Sequence, residues 1–374
     1  MTIPLESIKN RHKKLAQAIK EAGLAGMVLN PGPSLTYFTG LHFHLSERPV
    51  VGLFTPDTSP VLVLPELEAA KVENLGYELL PFTYPEEPEK WAGVFKAGAE
   101  GAGLGKGNVG VEDRRLRFLE LELLKQAMPQ ANFLNAVDTV AGLRMVKDEG
   151  EIAAMQQAVD IAQQALEATL PLIKIGMTEK ELAAELVMQI LRQGSGTTLP
   201  FQPIVATGPD SANPHAFPTD RPLTKGDLLV IDWGANVDGY FSDLTRTFGV
   251  GEVNPEQEKI HQIVQEANAA AQALAKPGVS CGDVDKAARD IIEQAGYGEY
   301  FIHRTGHGLG MEGHEEPYIR ADNPMLLQAG MTFTIEPGIY TPQHGGVRVE
   351  DDVVVNKDGL RSFSDMERGL RIVG

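Results

Sequence analysis

The chain holds a single cysteine, Cys281, so no disulfide can form within it, and a reducing compartment suits it. Cys281 sits in Val279-Ser280-Cys281-Gly282-Asp283 at an expected helix start, where an inert, buried thiol is the expectation. No apolar run of signal-peptide or membrane-span length is present, and Met1-Thr2-Ile3-Pro4 leads into the charged stretch Lys9-Asn10-Arg11-His12-Lys13-Lys14. A cytoplasmic protein is expected. Basic side chains are in deficit, 33 against 51 acidic ones, for a formal charge of −18. Nucleic acid and anionic membrane both require that negative charge be neutralised, so neither is expected as a partner. Two site signatures are also missing. There is no His-Glu-x-x-His, and the glycine-rich run Gly306 to Gly310 lacks the Lys-Ser or Lys-Thr ending of a phosphate loop.

What is present is ordinary globular composition, 43% hydrophobic, with 39 Gly and 24 Pro spread along the chain rather than clustered. A length of 374 residues points to two domains. In the first third, Ile8, Leu15 and Ile19 recur at helical spacing before Gly23. Short apolar runs follow at residues 26–29, 50–54, 61–64 and 109–111, bounded by turn residues, which reads as an α/β domain. Residues 137–143 read as its exit, giving domains 1–141 and 142–374.

The second part repeats an order of elements. A long helix starts near Lys147 and ends at Ile175-Gly176, and the capping pair Thr178 and Glu181 opens a second helix to Gly194, followed by a β region. A helix over residues 255–275, a turn at Pro277-Gly278, another helix to Gly296 and again a β region follow. The order suggests a pseudo-symmetric α+β domain with its site between the halves.

Each β region carries an acidic pair. A turn near Val237 and Asp238 would set Asp232 roughly opposite Asp243, and a turn around Gln343 and His344 would bring Glu336 and Glu350 face to face. Like charges across an apolar ladder are destabilising, and a buried unpaired carboxylate costs several kcal/mol. Two such pairs, one in each half, call for cations. His307 lies among glycines that permit close backbone approach, with His303, His314 and His215 in its company. Four oxygen ligands and one imidazole suit two borderline-hard divalent ions, Mn²⁺ first, with Co²⁺ or Zn²⁺ as alternatives.

The segments Asp232-Trp233-Gly234, Tyr240-Phe241-Ser242-Asp243-Leu244-Thr245-Arg246-Thr247, Gly306-His307-Gly308-Leu309-Gly310, Thr334-Ile335-Glu336-Pro337-Gly338-Ile339-Tyr340 and Gly346-Val347-Arg348-Val349-Glu350-Asp351 resemble the pita-bread metallopeptidases. Within them the chain looks like the Xaa-Pro branch, prolidase and aminopeptidase P, with a smaller creatinase-like α/β N-terminal domain. The resemblance implies Asp232 as ligand of one metal, Asp243 and Glu350 as bridges, and His307 and Glu336 as ligands of the second. It also implies a hydroxide held between two metals as nucleophile, with Glu336 moving a proton to the leaving nitrogen. His215 and His314 would orient the scissile carbonyl and stabilise the oxyanion. His303 would line the pocket, and Arg348 would support the acidic cluster.

The expected activity is a Xaa-Pro dipeptidase acting on small peptides with proline second, as a homodimer. The alternatives are an aminopeptidase P acting on longer peptides and a non-catalytic scaffold of the same fold, against which the complete ligand set speaks. A dipeptidase must receive a free carboxylate, for which arginine is best suited. Many prolidases place that arginine where Tyr318 stands here. Arg320, two residues on, and Arg48, in a loop of the N-terminal domain, are the candidates.

Overall fold

The computed structural model describes residues 3–374, which divide into two compact units, Met1–Arg144 and Met145–Gly374. In the first, α1 (Leu5–Glu21) buries Ile8, Leu15 and Ile19 on one face, and the chain turns at Gly23 with φ +66°. The remaining elements are β1 (Gly26–Leu29), α2 (Pro33–Thr39), β2 (Val51–Phe54), β3 (Val61–Pro65), β4 (Leu80–Tyr84), α3 (Trp91–Gly101), β5 (Lys106–Val111), α4 (Phe118–Ala127), β6 (Gln130–Asn135) and α5 (Val137–Arg144). The expected exit segment is therefore helical, and residue 141 lies within it. The strands form one mixed sheet ordered β4-β3-β2-β1-β5-β6. Its central strands are apolar throughout because helices cover them, and Val28, Leu53, Val63, Phe95 and Val109 form the core.

The second unit has two helix pairs, each followed by a sheet. The first half holds α6 (Glu149–Thr169), α7 (Glu179–Arg192), β7 (Ile204–Thr207), β8 (Leu228–Trp233), β9 (Asn236–Val237), β10 (Tyr240–Phe241) and β11 (Leu244–Val250). The second holds α8 (Pro255–Leu274), α9 (Cys281–Gln294), β12 (Gly306–Gly308), β13 (Glu315–Ile319), β14 (Thr332–Ile335), β15 (Gly338–Thr341), β16 (Gly345–Arg348), β17 (Asp351–Val355), β18 (Leu360–Ser362) and β19 (Arg371–Val373). The helix starts are chemically marked. Asp148 with Glu151, Thr178 with Glu181 and Asn254 with Gln257 form reciprocal caps, and Ser280 caps α9. The first long helix ends at Thr169 rather than Ile175, because Pro171 has no N–H to continue the ladder and a single tight turn follows. Cys281 is buried, and burial pushes its thiol up to about 12, so it is inert near neutrality.

Two sheets frame the site, one ordered β19-β11-β8-β7 and the other β13-β12-β14-β17-β18. The first hairpin corrects the expected register. Val237 pairs with Tyr240, which centres the turn on Asp238 and Gly239, at φ 55° and 88°. Moving the turn by one residue shifts the pairing by two, so Asp232 faces Thr245 and not Asp243. In the second hairpin β15 pairs β16 and β14 pairs β17 in one continuous register, Gly338 with Arg348 and Ile335 with Asp351. Glu336 and Glu350 occupy the position between those two ladders. No helix among the described residues is long and apolar enough to cross a membrane.

Candidate metal centre

Asp232 is the penultimate residue of β8 and Asp243 directly precedes β11, so both stand near the same end of one hairpin. His307 stands in the middle of the short strand β12, which runs beside β14, the strand that leads into Glu336. Its flanking glycines are required by space. A Cβ at Gly306 would lie 1.8 Å from the Thr334 carbonyl oxygen, and one at Gly308 2.2 Å from that of Glu316.

Ligand atoms of Asp243, His307 and Glu350 lie within 4.8 Å of one another, and all three residues are buried. His307 Nε2 is 3.3 Å from Glu336 Oε1 and 3.7 Å from Asp243 Oδ2. Its Nδ1 is 3.1 Å from the Gly308 carbonyl, which can only accept, so Nδ1 carries the proton and the Nε2 lone pair faces carboxylate oxygens. Lone pairs turned toward one another in a buried site require a proton or a metal cation between them. Asp232 Oδ1 is also buried without a hydrogen-bond partner among the described residues. The donor set, carboxylate oxygens with one imidazole, fits divalent metal ions.

The electrostatics agree. Burial, then repulsion from Glu350 and Asp232, raises the Asp243 carboxyl well above its ordinary range. Burial followed by Glu336 and Asp232 does the same to Glu350. Burial raises Glu336 to about 7 although Arg348 and Arg304 oppose it, and burial raises Asp232 against the Arg348 charge. Burial drives His307 well below its ordinary value. Metal-free, the cluster holds protons where cations would otherwise sit.

A shell of hydrogen bonds fixes these groups. Thr245 Oγ1 donates to Glu350 Oε2 at 2.5 Å, Thr334 Oγ1 to Glu336 Oε1 at 3.2 Å, and the Asp243 N–H to Asp352 Oδ2 at 2.8 Å. Arg348 reaches Asp232 Oδ2 at 2.6 Å, Thr245 Oγ1 at 3.0 Å and the Tyr340 hydroxyl at 2.9 Å. That hydroxyl is 2.9 Å from His303 Nε2. Arg348 is thus a cation inside the acidic cluster.

The His314 ring packs on His307 with centroids 3.9 Å apart, and burial pushes His314 down to about 4, as it does His303. His215 is exposed, and its backbone N–H donates to Asn213 Oδ1 at 3.0 Å. Tyr318 lies opposite His307 in the β12–β13 ladder, and the Arg304 guanidinium sits over its ring, 4.6 Å from the centroid. Arg320 is exposed and pairs with Asp322. In the first unit, Arg48 donates through Nε and Nη2 to Glu86 at 3.0 and 2.7 Å and pairs with Glu47. Sequence reasoning missed Thr245, Tyr340, Asp352 and Arg304. Strand alternation from Asp243 would have found Thr245, but no local pattern marks Arg304.

Residues 153–357 match the model of metallopeptidase family M24, and residues 11–146 match the creatinase/prolidase N-terminal domain. A Xaa-Pro dipeptidase of Lactobacillus helveticus is 34% identical over 96% of this chain and 98% of its own length. The crystal structure of a dipeptidase from Pyrococcus horikoshii OT3 superposes with a TM-score of 0.92 at 38% identity, covering 97% of this chain and 100% of that one. That of dipeptidase PepE from Mycobacterium ulcerans gives 0.90 at 35% identity, with both chains covered in full. The buried carboxylate and histidine cluster therefore lies in a chain that belongs to metallopeptidase family M24, with a creatinase/prolidase N-terminal domain ahead of its pita-bread domain.

Proposed function

We propose that the protein is a dinuclear metal-dependent Xaa-Pro dipeptidase that cleaves the bond before proline in small peptides. The observation that supports this reading is the His307 Nε2 lone pair facing carboxylates, with ligand atoms of Asp243, His307 and Glu350 within 4.8 Å of one another and Glu336 Oε1 3.3 Å from that nitrogen. Asp232, Asp243 and Glu350 would hold one ion, and Asp243, His307, Glu336 and Glu350 the other, with Mn²⁺ the expected metal. Bound there, the ions supply Lewis acidity and lower the pKa of water.

The chain's own residues do the rest. Glu336 would take the proton that the attacking water gives up and pass it to the leaving imino nitrogen of proline as the peptide bond breaks. His314 Nδ1 lies 3.4 Å from an Arg304 N–H, which makes Nδ1 the acceptor and leaves the Nε2 proton for the substrate carbonyl oxygen. His314 is neutral near pH 7, because burial pushes it to about 4. His215 approaches from the loop ahead of β8, and the two imidazoles hold the carbonyl and its developing oxyanion. His303 fixes the Tyr340 hydroxyl that Arg348 also contacts.

A homodimer in the cytoplasm completes the reading. The test is hydrolysis of Met-Pro against Met-Pro-Xaa tripeptides under Mn²⁺ and Co²⁺, with the metal content of the purified protein measured. Cleavage of the dipeptide, abolished by chelator, supports the proposal. Preference for the tripeptides would make it an aminopeptidase P, and no bound metal with no effect of chelator would leave a scaffold.

A further inference from the structure

Lys147 lies far from the acidic cluster in sequence and is absent from the roles assigned above, yet its side chain is 1% exposed. Its ammonium meets Glu315 Oε1 at 2.6 Å across 168 residues of chain. A buried charge is retained only where a partner compensates it, and this pair is compensated on both sides. The backbone of Lys147 is fixed as well. Its N–H donates to the Gly330 carbonyl at 2.9 Å, and Val146 bridges Met331, at the entry to β14. Lys147 therefore ties the root of the strand that leads into Glu336 to the first residue of β13.

That first residue directly follows His314. The connection from β12 to β13 is held at its other end, where the Leu309 N–H donates to the Thr332 carbonyl and Thr332 Oγ1 returns 2.7 Å to the Leu309 carbonyl. Between the two anchors lies Gly310. A Cβ there would lie 2.8 Å from Glu315 Oε1, 2.9 Å from Lys147 Cε and 3.1 Å from Lys147 Nζ. The ion pair thus fills the space that a side chain at 310 would take. His314 is open to solvent on one side while its ring is covered by His307 and lies near the Arg304 guanidinium. Beyond these two contacts, its direction is set by the backbone of the connection that carries it.

We infer that the Lys147–Glu315 ion pair, wedged against Gly310, is the anchor that positions His314 over His307, which makes Lys147 and Glu315 positioning residues for catalysis. The inference rests on the proposed part of His314 in holding the substrate carbonyl. Removing both charges together, Lys147→Met with Glu315→Gln, leaves no lone buried charge and keeps the fold within reach. Gly310→Ala displaces the pair with both charges intact and serves as the second, independent variant.

Both variants are expected to keep their bound metal and KM while kcat falls on the order of a hundredfold, as a misplacement of about 1 Å can produce. The His314 ring signal in spectra of histidine-labelled protein, assigned through His314→Ala, is expected to shift. On the His314→Ala background the same substitutions are expected to add nothing, since the anchor acts only through that ring. Losses that add to that of His314→Ala, or an unmoved His314 signal, would overturn the inference. If the wild type hydrolyses no Xaa-Pro peptide, the dipeptidase reading fails, and the His314 signal still decides the anchor.

Discussion

Arg348 Nη2 lies 2.6 Å from Asp232 Oδ2, so the one guanidinium inside the acidic cluster is spent on a single carboxylate. The same side chain spans Thr245, Tyr340 and the Pro214 carbonyl, one residue before His215. Lysine would keep the charge but cannot make a planar fork to several acceptors. Arg348→Lys is expected to lower kcat/KM by about 10- to 100-fold, the usual range for outer partners of metal ligands. Steady-state kinetics with a measurement of bound metal checks this, and a variant with wild-type kcat/KM would refute it.

The raised carboxyls set a pH dependence for the metal-free protein. Glu336 moves from an ordinary 4.5 to about 7 through burial, and burial raises Asp243 and Glu350 as well. The folded state then holds protons that the unfolded state has released, so metal-free stability falls as pH rises through this range. His303 and His314, pushed down from 6.5 to about 4, act with the opposite sign below 6.5 and are neutral in both states above it. The histidine contribution ends near pH 6.5 and that of Glu336 near 7, so between these values the Tm of chelated protein should drop, and the gain in Tm from added Mn²⁺ should grow. A metal-induced gain that shrinks across this window would contradict the cluster's role.

Asp351 carries a different kind of load. It is buried between Arg246, at 2.8 Å, and Arg368, at 2.6 Å, and also accepts from Gln272. Burial alone would raise its carboxyl, but the two guanidinium groups hold it below the ordinary range. Removing it strands Arg246, whose other bonds run to the carbonyls of Thr245, Glu350, Met366 and Glu367 and to Ser364. Asp351→Ala is expected to cost about 3–5 kcal/mol in denaturant unfolding. A loss under about 1 kcal/mol would show that the pair is dispensable.

The acidic pairs were legible because like charges in apolar strands violate the local rule for strands, and such violations mark sites. The second hairpin agrees with the expected turn around Gln343 and His344, since Thr341 pairs with Gly345. The first does not. Asp238-Gly239, a dipeptide suited to positive φ at both positions, was the stronger turn signal than Val237-Asp238, and one residue there displaced Asp232 from Asp243 to Thr245. The arrangement of Arg304 over Tyr318 and the pairing of Lys147 with Glu315 were illegible for another reason. Both depend on which strands lie side by side, which no spacing along the chain encodes.

That same arrangement bears on substrate length. A dipeptide ends in a carboxylate next to the scissile bond, and only a free guanidinium can meet it with two hydrogen bonds. Arg48 has its Nε and Nη2 committed to Glu86, and Arg320 is exposed beside Asp322. Arg304 has no ion-pair partner among the described residues. Its guanidinium sits over Tyr318, 4.6 Å from the ring centroid, and comes within 3.4 Å of His314 Nδ1. Arg304→Ala is therefore expected to raise KM for Met-Pro on the order of 30-fold, the worth of a charged hydrogen bond. It should change hydrolysis of Met-Pro amide far less, because the amide offers no charge to lose. Arg48→Ala, by contrast, must first break its tie to Glu86 to matter, and an unchanged kcat/KM for Met-Pro in that variant would eliminate it as the clamp. Equal losses on acid and amide in Arg304→Ala would mean that the guanidinium orders His314 instead of reading the substrate's end.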